Sequence, residues 1–250
     1  MERSMPERLT AEFVGTFTLI FIGAGSIIHA NTFGLGTVGV IGVALAHGLA
    51  IGTMVTAVGH ISGAHFNPAV TIGAWITQKI KSTHAFAYII TQLAGASAGA
   101  LILRLSLPKL VLTQSKYGVP EVRTGISNGQ AVLIEFVLTF FLVWVIFATA
   151  IDPEGAFNKI AGLAIGFVIT MDNLMGGFFT GAAMNPARHF GPALLGGGWA
   201  SWWVYWVGPI AGAIVAAALY DGLIIKRPGS VANEEAPHGV GAHGEDNPPA

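Results

Sequence analysis

The chain has 250 residues, of which 53% are hydrophobic and only 10% charged, and its mean hydropathy is +0.65. A soluble domain carries about 25% charged residues, so most of this chain belongs in lipid. A net charge of −1 offers nothing to nucleic acid or to an acidic ligand, and the absence of cysteine removes disulfides, thiolate catalysis and cysteine metal sites.

Residues 1–8 are polar and include Arg3 and Arg8; they read as a cytoplasmic N-terminus leading into a retained first span, the apolar run being too long for a signal-peptide core. Six stretches are then long enough to cross a membrane: Leu9–His29, Val38–Val58, His84–Leu105, Gln130–Ile151, Ile160–Phe179 and Trp202–Ile225. All are expected to be helices, because lipid offers no other partner to open backbone. The tail 226–250, with Glu234-Glu235 and many Pro, Gly and His residues, reads as disordered and cytoplasmic.

Between spans two and three stands His65-Phe66-Asn67-Pro68-Ala69-Val70, and after span five Met184-Asn185-Pro186-Ala187-Arg188. Asn is a strong helix N-cap and Pro is favoured at the first helical position. From Asn67 to Ile80 no further Pro intervenes, which allows roughly 20 Å of helix, about two thirds of a ~30 Å hydrocarbon core. Such a segment enters the membrane without crossing it. Two of them entering from opposite faces meet Asn to Asn, with their positive dipole ends converging.

The halves repeat. Glu12-x-x-x-Thr16 matches Glu135-x-x-x-Thr139, Leu93-Ala94-Gly95-Ala96 matches Ile210-Ala211-Gly212-Ala213, and the Asn-Pro-Ala copies match, at offsets of 123, 117 and 118. With three spans in each half (about 9–107 and 128–225), the second half is inverted in the membrane. Arg3, Arg8, Lys79, Lys81, Lys159, Lys226 and Arg227 fall on one side, against Lys109, Lys116 and Arg123 on the other. The richer side is cytoplasmic, which puts both termini inside and Trp199, Trp202, Trp203 and Trp206 at the outer interface. Gly95-x-x-x-Gly99 and Gly208-x-x-x-Gly212 suit close helix packing, inside the chain in preference to between subunits.

These features resemble the aquaporin (major intrinsic protein) family over residues 9–225, on Glu12, His60-Ile61-Ser62-Gly63-Ala64-His65-Phe66-Asn67-Pro68-Ala69-Val70, Glu135, Thr180-Gly181 and Asn185-Pro186-Ala187-Arg188. The resemblance implies an all-α membrane protein: six transmembrane helices plus two re-entrant half-helices in an inverted internal repeat, one pore per subunit, and a homotetramer in the bilayer, in the cell (plasma) membrane. It implies a passive channel for water and other small neutral solutes that excludes protons and ions, with no cofactor, no metal and no nucleic-acid partner. Asn67 and Asn185 would each donate to a passing water, and Pro68, Ala69, Pro186 and Ala187 complete the motifs. Glu12 and Glu135 would anchor the re-entrant loops by accepting backbone hydrogen bonds; a proton relay is the alternative reading of two intramembrane acids.

By the family pattern Arg188 lines the outer filter together with His47, Asn173 and Ala182, and His65 sits at the cytoplasmic constriction. The usual water-selective filter is a Phe, a His, a small residue and Arg; the usual glycerol filter has bulky aromatics and a Gly. This chain matches neither. His47 resembles plant tonoplast members, some of which pass ammonia or urea, although a histidine bonded within the bundle is the other reading. Ala193, the Tyr205-Trp206 pair and the short segment between Arg188 and Trp206 follow the water-channel pattern, and His189 departs from it. Asp172 is expected near the hydrated outer vestibule, with a direct pore role left open. The rival functions are a facilitator mainly for ammonia, urea, glycerol or hydrogen peroxide, and a membrane-junction structural protein whose pore is incidental. No nucleophile–base pair, phosphate loop or metal set is visible, so an enzyme is not expected.

Overall fold

The computed structural model describes residues 3–155 and 158–225; Met1, Glu2 and the proposed tail 226–250 lie outside the described residues. Among the described residues every element is helical. Five helices are long and apolar enough to span: α1 (Met5–Thr32), α2 (Gly36–Ser62), α4 (Ser82–Ser106), α6 (Asn128–Ile151) and α9 (Val204–Ile225). Between them lie α3 (Pro68–Ile76), the short α5 (Lys109–Gln114), α7 (Ala161–Gly176) and α8 (Pro186–Gly196).

The fifth expected span is shorter than the sequence pattern suggests. α7 has 16 residues, roughly 24 Å at 1.5 Å per residue, less than a ~30 Å hydrocarbon core. It stops at the Gly176-Gly177 pair: Gly177 still has helical φ −56° and ψ −34°, but adjacent glycines weaken a helix by about 0.5–1 kcal/mol each. The first half-helix is shorter too. It ends at Ile76, not Ile80, because Gln78 adopts φ 62° and the amides of Gln78 and Lys79 close back on Trp75 O (3.0 Å) and Ala74 O (2.8 Å). This paired closure terminates a helix as a Schellman motif does. Both half-helices start as expected of Asn-Pro: Asn67 and Asn185 are extended caps, and Pro68 and Pro186 occupy the first turn.

Glycines set how closely the spans approach. A Cβ on Gly95 or Gly99 would come 2.6 Å and 2.8 Å from the carbonyl oxygens of Phe13 and Phe17, so α4 lies directly on the backbone of α1. Gly208 and Gly212 bring α9 onto α6 in the same way. Both glycine pairs therefore pack inside the chain. A third crossing, not singled out from sequence, joins the halves: α2 and α7 meet through Gly48, Gly52, Gly162 and Gly166, with a Gly166 Cβ only 2.7 Å from Gly48 O. Each half-helix packs on the last span of the other half. Gly73 of α3 faces Ala213 O of α9, and Gly191 of α8 faces Ala96 O of α4. The two halves are thereby interlocked around the centre.

Candidate functional site

Each loop that leads into a half-helix has a strained backbone. Ala64 and Phe66 take φ 51° and 50°, and Ala182 and Met184 take 43° and 51°. A left-handed residue with a Cβ costs roughly 1–2 kcal/mol, so something must hold these loops. In the first half it is Glu12, fully buried. Its Oε1 accepts from Ser62 Oγ (2.7 Å) and His65 N (2.9 Å), and its Oε2 from Phe66 N (2.7 Å) and Gln92 Nε2 (2.8 Å). In the second half Glu135 accepts from Thr180 Oγ1 (2.6 Å), Ala183 N (3.0 Å) and Met184 N (2.7 Å). Two tyrosines, absent from the sequence reading as a pair, complete the symmetry: Tyr88 donates to Ser62 O (2.8 Å) and Tyr205 to Thr180 O (2.9 Å).

The two asparagines meet. Asn67 Oδ1 accepts from Ala69 N (2.8 Å), and Asn185 Oδ1 from Ala187 N (2.9 Å) and Arg188 N (3.3 Å). Each amide nitrogen then reaches across the repeat: Asn67 Nδ2 donates to Met184 O (2.8 Å) and Asn185 Nδ2 to Phe66 O (2.9 Å). A side-chain amide has two N–H groups, so one per asparagine remains for a guest.

Both asparagines line a single cavity of about 380 Å³. His47, Ile51, Val55 and Gly59 border it along α2, a run of roughly 18 Å at 1.5 Å per residue. Leu142, Ile146, Ile165 and Ile169 continue an apolar wall. Arg8, His60, Lys79 and Ile80 border one end, and His47, Asn173, Ala182 and Arg188 gather at the other. Asn173 also borders a second, larger cavity of about 980 Å³.

Arg188 is 1% exposed and held on two sides: Nε donates to His47 Nε2 (3.1 Å) and Nη1 to Gly118 O (3.1 Å), while Nη2 is buried with no partner. An arginine only donates. His47 Nε2 must therefore accept, and its Nδ1 carries the hydrogen and donates to Val43 O (2.8 Å). His47 is thus both bonded within the bundle and at the cavity wall. Asn173 Nδ2 donates to Ile169 O (2.9 Å). His65 borders the same cavity, with Nδ1 against Thr71 Oγ1 (3.1 Å) and its ring edge-on to Tyr88. Thr71 in turn donates to Asn67 O (3.0 Å) and accepts from Gln92 Nε2 (3.0 Å).

Two residues are not where the sequence put them or had no place in it. Asp172 borders neither cavity and is buried behind the wall, at 1% exposure, with Oδ2 unpartnered. One position before Asn173 on a helix turns its side chain about 100° from the cavity-lining row of Ile165, Ile169 and Asn173. His189 stacks on Tyr205 at 4.5 Å and its Nε2 lies 3.1 Å from Gly198 O, tying the outer loop to α9. Among the described residues no group of three or more His, Cys, Asp or Glu side chains could hold a metal ion.

Residues 2–220 match the profile of the family described as Major intrinsic protein. The chain is 41% identical over 223 residues to aquaporin TIP4-4 of Zea mays (88% of this chain, 87% of that protein), and 44% identical over 227 residues to probable aquaporin TIP3-2 of Arabidopsis thaliana (86% and 82%). Its fold is similar to that of the aquaglyceroporin from Plasmodium falciparum, with a TM-score of 0.80, 28% identity, and coverage of 88% of this chain and 97% of that one. Spans crossed by two Asn-capped half-helices, a cavity running past both asparagines, and these likenesses lead to one assignment: the chain belongs to the major intrinsic protein family, whose members are membrane channels for water and small solutes and not enzymes.

Proposed function

We propose that the cavity is a passive pore for water and small neutral solutes that rejects protons and ions, with both termini cytoplasmic in the cell membrane and four chains per assembly. The observation that carries it is the placement of Asn67 and Asn185 on one cavity, each with one N–H committed across the repeat and one left over. A water that accepts from both spare donors has no lone pair to offer its neighbours, so a proton cannot hop through it. The N-termini of α3 and α8 add positive potential at the same place. This is the general behaviour of aquaporin-type pores, in which lining donors and half-helix dipoles form the barrier. An ion would also lose hydration against Leu142, Ile146, Ile165 and Ile169, which offer it nothing in return.

The filter reading gives His47, Asn173, Ala182 and Arg188 the choice among neutral solutes, with His65 at the cytoplasmic constriction. His47 spends Nε2 on Arg188, which leaves the guanidinium edge at Nη2 as the donor for a solute lone pair. Water, ammonia and urea can all use it. Ala182 leaves room beside it, and this polar opening suits ammonia or urea as well as water; the second reading is a facilitator mainly for ammonia, urea, glycerol or hydrogen peroxide. Stopped-flow light scattering on proteoliposomes, with water, ammonia, urea and glycerol in turn, tests both. Water flux well above empty liposomes supports the pore. Water flux at the empty-liposome level with fast ammonia or urea entry makes the facilitator the function, and liposome clustering with no flux of any solute makes the chain a junction protein.

A further inference from the structure

At the end of the cavity opposite Arg188, two neighbouring residues of α9 hold both sides of the opening. Asp221 pairs with Lys79 Nζ through Oδ1 at 2.6 Å, with the Asp side chain 4% exposed and the Lys 28%. Tyr220 donates its hydroxyl to Asp152 Oδ2 at 3.1 Å. Lys79 borders the cavity, and Asp152 directly follows Ala150 and Ile151, which border it from α6. Asp221 opens a π-helical turn, Asp221–Ile225, and such turns recur at functional sites.

The Lys79 backbone has its own support. α3 packs on α9 through Gly73, and the Gln78 and Lys79 amides are closed onto α3. The ion pair is therefore not what keeps the segment in place. What it fixes is the direction of a long, flexible ammonium side chain at the rim of the opening.

We propose that Asp221 is a positioning residue for conduction: it draws the Lys79 ammonium against α9 and keeps it out of the opening. Without Asp221 the backbone stays, and the lysine sweeps the mouth. There it narrows the path and adds a mobile hydrated charge to the water file. The second half does not repeat the pair: at the repeat offsets, the counterparts of Lys79 and Asp221 are Gly197 and Arg104.

The inference rests on the reading of the cavity as a water pore, and the experiment separates the two. Water flux per folded channel is measured in matched proteoliposomes for wild type, Asp221→Asn, Lys79→Met, and the double variant Lys79→Met with Asp221→Asn. No flux in wild type fails the pore reading alone. With wild-type flux present, Asp221→Asn is expected to fall about twofold or more, as for a side chain that blocks half the time. Lys79→Met and the double variant are expected to match wild type, because no lysine is left to stray. A merely structural pair predicts the opposite, with the double variant no better than Asp221→Asn. Wild-type flux in Asp221→Asn, or a loss that Lys79→Met does not relieve, overturns the proposal. If Asp221→Asn is not recovered folded, the exchange Lys79→Asp with Asp221→Lys decides: wild-type flux per channel supports the proposal, and reduced flux or failed recovery overturns it.

Discussion

The two re-entrant loops are built on one plan and finished differently. Ser62 and Thr180, Gly63 and Gly181, Ala64 and Ala182, and Asn67 and Asn185 occupy matching positions, with matching φ signs at 63, 64 and 66 and at 181, 182 and 184. The differences lie around the asparagines and on the helix that packs behind each loop. Where the first half has Val70 and Thr71 the second has Arg188 and His189, and where the first has His65 and Gln92 the second has Ala183 and Pro209. The first half spends its extra polar groups inward, on a chain from His65 through Thr71 and Gln92 to Glu12. The second spends a charge on the cavity, with Arg188 held by His47 of the first half and Gly118 of the connecting loop. The repeat supplies the scaffold twice, and a buried charge at the cavity is added by departing from it once.

Removing what the halves share should hurt most. Glu12→Ala strips an acceptor from four donors and Glu135→Ala from three, at about 1–3 kcal/mol for each buried group left unpaired. Both variants are expected to lose most folded channel on size-exclusion chromatography, with Glu12→Ala the worse. Normal recovery with raised proton conductance would instead make these acids a relay.

Erasing the added charge should matter next. Arg188→Val gives the second half the residue that the first has at position 70. Cation and proton leak, followed with a pH-sensitive dye in potential-clamped liposomes, is expected to rise about tenfold or more, the equivalent of ~1.4 kcal/mol off a barrier. A leak unchanged from wild type would put the barrier at the asparagines alone.

A finer change addresses the filter. His47→Phe with Asn173→His removes one acceptor from Arg188 and restores an aromatic wall. The ammonia-to-water permeability ratio is expected to fall about three- to tenfold, the scale of one hydrogen bond of ~1 kcal/mol. An unchanged ratio with channel assembly intact would mean that these positions do not set selectivity.

Making the first loop resemble the second is expected to have the smallest effect. Gln92→Leu removes two hydrogen bonds and a buried, unpartnered Oε1, leaving Glu12 with three donors as Glu135 has. Detergent-solubilised stability should shift by no more than about 1.5 kcal/mol, with water flux per channel within twofold of wild type. A larger loss would show that the inward chain through Thr71 is needed to hold His65.

The fold was legible because it depends on local rules. Asn-Pro caps, apolar spans and a repeat offset can all be read from neighbouring letters. The shortened α7 was not, since a run that stays apolar through Phe179 hides the point where Gly176-Gly177 break it. Nor was the burial of Asp172, which a one-residue rotation from Asn173 decides. The site's partners were the least legible. The family resemblance put Arg188 beside His47 without showing their bond, and nothing in the sequence joins Lys79 to Asp221, because those bonds run between helices far apart in the chain. The Gly48, Gly52, Gly162 and Gly166 crossing had a signal, small residues four apart in spans two and five, that reading each half separately passes over.

The crossed asparagine bonds also set an order in time. Asn67 donates to a carbonyl 117 residues later, and α3 rests on a helix that begins at Val204. A ribosome making this chain therefore releases the first re-entrant segment well before its partner and its resting surface exist. Until Met184 is made the Asn67 amide lacks this acceptor, and until Val204 and the residues after it are made α3 lacks the surface it rests on, whereas Glu12 precedes both. The first loop can be completed only once the last helix has been made.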